Sequence, residues 1–238
     1  MHVEESRLEK RVKTRLKALR LYAMQPEVTV EALAEWLNKD YSTALRVNKA
    51  LLSSGLIKLL RLERTADKGQ EKRVYTITFF GLACYLPNAL NPAEISQIAR
   101  AHKDKLLTFR KWDKISQAGL ADFLIGNIKF ALSSLFTYAL QIWRFHTGKP
   151  LPPQDFEQQA RAFDIMSLGL YWFSEPPKWL QEKMAKKDWE LYMRLLKLIR
   201  EDYELNVFMQ EFLDGETRRA QNTLQNVNEW KQVLASLG

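Results

Sequence analysis

The chain has a single cysteine, Cys84, among 238 residues. That excludes an intrachain disulfide and a cysteine-rich metal site, and it agrees with a reducing, intracellular setting. Glycine (9) and proline (8) are scarce, which disfavours an architecture of many short strands and favours helices. Long apolar segments are missing too. The uncharged apolar run Phe130 to Trp143 has 14 residues, too few to cross a bilayer, and reads as a buried core helix. The start, MHVEESRLEKRVK, has no apolar segment of the secretory kind, so a cytoplasmic protein is expected. The three histidines, His2, His102 and His146, show no ligand spacing. No HExxH, phosphate-binding loop, GxGxxG or GxSxG motif is present, and acidic pairs such as Glu201-Asp202 fall in helical stretches. Neither an enzyme, nor a metal, nor a cofactor is expected.

What the chain does have is an ordinary globular balance, 46% hydrophobic and 27% charged, so disorder is not the default. Its net charge of +8 is unevenly spread. Residues 1–90 hold 16 Lys and Arg against 10 Asp and Glu, whereas residues 91–238 hold 20 against 18. A basic N-terminal third is attracted to polyanions, nucleic acid foremost, although a solvated basic face is the plainer alternative.

Periodicity predicts a first helix over about 5–24, with Leu8, Val12, Leu16 and Leu19 on one stripe and Arg7, Lys10, Arg11, Lys13, Arg15, Lys17 and Arg20 around it. Pro26 ends it. Thr29 is placed to cap a second helix whose buried side is Ala32, Leu33, Trp36 and Leu37. After a turn at Asn38-Lys39-Asp40, a third helix is expected over Ser42–Ser53, with Ala44, Val47 and Leu51 inward and Gly55 closing it. Lys58–Arg64 and Arg73–Phe80 read as a strand pair joined by the polar TADKGQEK. Beyond Gly81 only helices are expected, over about 92–112, 118–146, 154–173, 177–213 with a possible break near Lys187, and 216–236. Asn91-Pro92 forms a cap with proline at the first helical position. The fold class is therefore mainly α, with two domains, 1–87 and 88–238, the second built of about five helices.

The run Ser42-Thr43-Ala44-Leu45-Arg46-Val47-Asn48-Lys49-Ala50-Leu51, ending in Gly55-Leu56-Ile57, and the later Tyr75-Thr76-Ile77-Thr78-Phe79-Phe80-Gly81 resemble the recognition helix and wing of winged helix-turn-helix regulators of the MarR, ArsR and PadR groups. The resemblance covers about residues 8–86; Leu45 and Asn48 depart from the usual pattern. It implies three helices plus a β-hairpin wing, working on double-stranded DNA and commonly as a homodimer. Hydroxyls at a helix start suit phosphate oxygens, so Tyr41, Ser42 and Thr43 are candidates for backbone or base-edge contact. Arg46 and Lys49 share a helix face, and arginine can grip guanine with two hydrogen bonds. In the wing, Arg64, Lys68, Lys72 and Arg73 suit a minor groove or its phosphates. For each of these residues a solvated charge is the plain alternative.

The C-terminal helices are rich in aromatics, Trp112, Trp143, Trp172, Trp179, Trp189 and Trp230, read first as core and second as the lining of a site for a small apolar effector. The last helix repeats Ala220, Leu224, Val227, Trp230, Leu234 and Leu237, a narrow stripe suited to another helix, within the chain or on a second copy. The expected function is a sequence-specific DNA-binding transcriptional regulator. A winged-helix adaptor that docks a protein, and a replication or plasmid-maintenance DNA-binding protein, are the alternatives.

Overall fold

A computed structural model describes residues 2–64, 71–89, 91–135 and 156–236. The protein is mainly helical with one small, three-stranded antiparallel sheet. It divides into two compact units, Met1–Gly169 and Leu170–Gly238. The helices from 92 to 167 therefore share a unit with the first 87 residues. Polar links help to hold them there. Arg20 Nε lies 3.1 Å from Glu94 Oε1, and His102 Nε2 lies 3.0 Å from the carbonyl oxygens of both Tyr22 and Ala23.

The first helix, α1 (His2–Met24), buries mainly its C-terminal half. Leu19, Tyr22 and Ala23 are fully enclosed, whereas Val12 and Leu16 of the expected stripe are only half-buried. A two-residue strand, β1 (Val28–Thr29), leads into α2 (Val30–Leu37), where Thr29 Oγ1 accepts the Ala32 N–H at 3.3 Å. Trp36, expected on the buried side of α2, is 38% exposed, because its indole N–H reaches sideways to the Lys17 carbonyl at 2.8 Å. Asn38 makes the turn in the left-handed region, φ 53°, which asparagine tolerates better than most residues.

Asp40 then caps α3, which begins at Tyr41, one residue earlier than expected, and ends at Ser53. Its exit is a Schellman turn. Leu56 N–H bonds to Leu51 O at 3.0 Å and Gly55 N–H to Leu52 O at 2.9 Å, with Gly55 at φ +69°. The inner face of α3 is Ala44, Asn48 and Leu51, with Val47 only partly covered. Asn48 is fully buried and accepts a hydrogen bond from the Tyr22 hydroxyl.

Strands β2 (Ile57–Arg64) and β3 (Glu71–Ile77) pair antiparallel, and β1 adds to the far side of β3, giving the order β1-β3-β2. Leu60 is an extra residue on β2, since Leu59 pairs with Tyr75 and Arg61 with Val74. Strand β3 stops at Ile77 rather than Phe80. Thr78 ends it by donating to Gly55 O at 2.7 Å while its Oγ1 accepts the Gly81 N–H at 3.1 Å, which starts α4 (Phe79–Tyr85). A Cβ on Gly81 would collide with the Leu56 carbonyl oxygen. Glycine is required here by the close passage of two backbones.

The helix expected over 92–112 is three helices: α5 (Pro92–Ala101), capped by Asn91, then α6 (Leu107–Arg110) and α7 (Trp112–Gln117). The break has a distant cause. Asp164, on α9 (Phe156–Ser167), accepts the N–H groups of Leu107 and Thr108 at 2.8 and 2.9 Å and the Thr108 hydroxyl at 2.6 Å. It thereby caps α6 from another helix. Helix α8 (Ala121–Leu135) packs on α9, with Asn127 donating to Ser167 O at 3.2 Å, and Phe79 meets Phe163 edge-on at 5.7 Å.

The second unit starts with a 3-10 turn, Leu170–Ser174, followed by α10 (Pro177–Lys183), α11 (Lys186–Glu201) and α12 (Tyr203–Ser236). The helix expected over 177–213 is thus interrupted at Met184-Ala185 and again at Asp202, whose carboxylate accepts the Leu205 N–H at 3.2 Å. The last helix begins at 203, not 216. Of the tryptophans expected in the core, Trp112 is enclosed, donating to Ser96 Oγ at 2.9 Å. Trp172 and Trp189 are half-buried around an apolar groove of about 240 Å³, Trp179 and Trp230 are exposed, and Trp143 lies outside the described residues. Among the described residues no helix is long and apolar enough to cross a membrane.

Candidate nucleic-acid interface

Successive helical residues are about 100° apart, so an inner face of Ala44, Asn48 and Leu51 dictates an outer strip of Ser42, Arg46, Lys49 and Ser53. All four are exposed. Arg46 and Lys49 lean to opposite flanks of that strip. Arg46 lines a groove between α3 and α1, and Lys49 lines a second groove between α3 and β3. The departures at Leu45 and Asn48 take different places. Asn48 belongs to the core, while Leu45 is half-buried beside Lys49.

The N-terminus of α3 is less open to an anion than the run of hydroxyls suggests. The Asp40 carboxylate accepts from Ser42 Oγ at 2.5 Å, from the Thr43 N–H at 2.8 Å and from Thr43 Oγ1 at 2.8 Å. These bonds, that from Ser42 first, hold the Asp40 carboxyl well below its ordinary range. Both hydroxyls are therefore engaged with a fixed negative charge. Tyr41, just beyond, is 51% exposed and lines the β3-side groove.

That groove, of about 260 Å³, brings Lys49, Lys72 and Arg73 together, but also Glu31 and Glu71. Arg64 ends β2 opposite Glu71; its side chain and the whole of Lys68 fall outside the described residues. Arg61, which the residue types in the hairpin would also nominate, is occupied. Its guanidinium grips both Glu27 oxygens and reaches Glu63 at 2.6 Å. Glu27 first and then Glu63 push the Arg61 pKa further up, and the hydrogen bond from Arg61 pulls that of Glu27 down.

The α1-side groove is the larger, at about 460 Å³, and differs in sign. Lys10, Arg11, Arg15 and Arg46 line it with Thr14 and Thr43, and among the described residues no carboxylate does. Desolvation, helped by Arg11, lowers the pKa of Arg15. The sequence names these α1 cations as a basic flank without assigning them to the site. The available signal was spacing, since Arg11 and Arg15 are four apart, as are Lys10 and Thr14, and residues four apart lie on one helix face. Comparison with protein-family models, with curated protein sequences and with solved structures finds no match to this chain.

Proposed function

We propose that residues 8–86 form a winged helix-turn-helix and that the protein is a sequence-specific DNA-binding transcriptional regulator. The observation that supports this best is the presentation of α3. It is fixed at both ends by caps and on one side by a buried Tyr22–Asn48 bond, and its outer strip of Ser42, Arg46, Lys49 and Ser53 is exposed between two cation-lined grooves. A helix enters a B-DNA major groove with such a strip. Arg46 is the residue assigned to base reading, Lys49 and Tyr41 to base edges or phosphate, and Lys72 and Arg73 to the backbone beside the wing. Operator occupancy then blocks or recruits the transcription machinery; a replication or plasmid-maintenance protein would use the same contacts.

Selection of bound sites from random duplex DNA tests this reading. An enriched site is expected, and Arg46→Ala is expected to weaken binding to it by about 1–3 kcal/mol, while Lys72→Ala costs less and acts on all sequences alike. The absence of duplex binding by the wild type at low salt would sink the reading and favour a protein-docking adaptor.

The second part of the reading is a homodimer through α12. Residues 217–232 are exposed throughout, including the apolar Leu224, Val227 and Trp230. An antiparallel second copy is favoured because the stripe is self-complementary in that direction. Glu216 would face Lys231 of the copy, Thr217 would leave room for Trp230, and Ala220 would meet Val227. The groove beside Trp172 and Trp189 is the place for an apolar effector.

A further inference from the structure

We infer that the groove between α1 and α3 is a binding track for the phosphodiester backbone, taking DNA phosphates on Lys10, Arg11 and Arg15 beside the base-reading Arg46. The assignment rests on the DNA reading above and adds to it an element, α1, that the helix-turn-helix and its hairpin do not include.

Three observations point the same way. Among the described residues, the groove is lined by four cations and by no carboxylate. The opposite flank of α3 carries Lys49, Lys72 and Arg73 but sets Glu31 and Glu71 among them, so its net attraction for a polyanion is smaller. The third route, the start of α3, is closed by Asp40, whose carboxylate already takes the Ser42 and Thr43 hydroxyls and the Thr43 N–H. A phosphate approaching α3 is thus repelled at its N-terminus, weakly drawn on the hairpin side and strongly drawn on the α1 side. Lys10 and Arg11 are exposed, on a helix whose deep packing lies further along, at Leu19, Tyr22 and Ala23. Their charges can be removed without opening the core. Guanidinium groups suit phosphate because their planar fork matches two oxygens at once.

The experiment is a salt titration of the full chain on a labelled duplex of random sequence, read by fluorescence anisotropy. Each neutralised phosphate contributes about 0.9 to the slope of log affinity against log salt. The double variant Lys10→Gln/Arg11→Gln, which keeps most of both stems, is expected to lower that slope by about 2, with an unchanged thermal unfolding midpoint. Arg11→Lys, which keeps the charge, should retain the wild-type slope. A double variant that folds and binds with the wild-type slope overturns the groove assignment and leaves the DNA reading standing. A wild-type chain that binds no duplex at low salt overturns both.

Discussion

At the scale of single residues, His102 and Asp164 are the buried titratable groups with the clearest consequences. His102 is fully enclosed and gives its Nε2–H to the two carbonyls that end α1. Burial, helped by Lys105, holds its pKa down at about 4. The unfolded chain therefore takes up a proton near pH 6.5 that the folded chain refuses until about pH 4. The stability tied to neutral His102, about 3 kcal/mol, is present above pH 6.5 and lost as pH falls to 4. Asp164 has the opposite sign. Burial pushes its carboxyl up to about 6, against the hydrogen bonds from Thr108 and Leu107 and the charge of Arg110, so the folded state gains on the unfolded as pH falls from 6 towards 4. The two slopes nearly cancel in the wild type. In His102→Gln the first slope is gone, so the stability gap between wild type and variant should shrink by about 3 kcal/mol between pH 6.5 and 4. Denaturant midpoints across that range check it; a gap independent of pH would show that His102 titrates normally in the fold.

At the scale of elements, the junction between helix exit and hairpin return is held by backbone atoms. Gly55 and Gly81 both appear in the sequence phrase, yet they serve different ends. Gly55 is needed for its φ of +69° and has open space around its Cα, whereas Gly81 is needed because Leu56 O occupies the place of a side chain. Gly55→Ala should cost about 1–2 kcal/mol, the price of one left-handed residue. Gly81→Ala should cost more than that, about 3 kcal/mol or above, because a carbonyl cannot yield as a side chain does. Thermal melts of the two variants measure the order; equal losses would contradict it. This junction was legible because its determinants are local: a capped helix, a glycine and a strand rich in β-branched residues. The division of 92–112 was not, since the group that caps α6 is Asp164, 57 residues from Leu107. Nor was the engagement of Ser42 and Thr43 with Asp40, because a hydroxyl in a sequence carries no record of which acceptor it has found. The same holds for Trp36, Trp179 and Trp230, whose type suggested core and whose positions expose them.

At the scale of the whole molecule, the charge asymmetry of the sequence resolves into particular flanks rather than a uniformly basic third. In the hairpin, Arg61 is paired with Glu27 and Glu63, and Glu31 and Glu71 line the groove that holds Lys49, Lys72 and Arg73, whereas the groove beside α1 is lined by Lys10, Arg11, Arg15 and Arg46. The proposed self-association has its own test at this scale. Sedimentation equilibrium should give a dimer for the full chain and a monomer for Leu224→Arg. Glu216→Lys alone should weaken the dimer, and adding Lys231→Glu should restore it. A restored dimer requires the antiparallel order, whereas two additive losses would exclude it. The sheet, finally, leaves β2 at an edge, with Leu59, Leu60 and Leu62 exposed along it. Such an edge invites a neighbouring chain to add a strand and seed fibrous aggregation. The supernumerary Leu60 breaks the repeat that an incoming strand would have to copy, and the Arg61 clamp keeps charge in the middle of the apolar row. The irregular strand is therefore a poor template for a second strand.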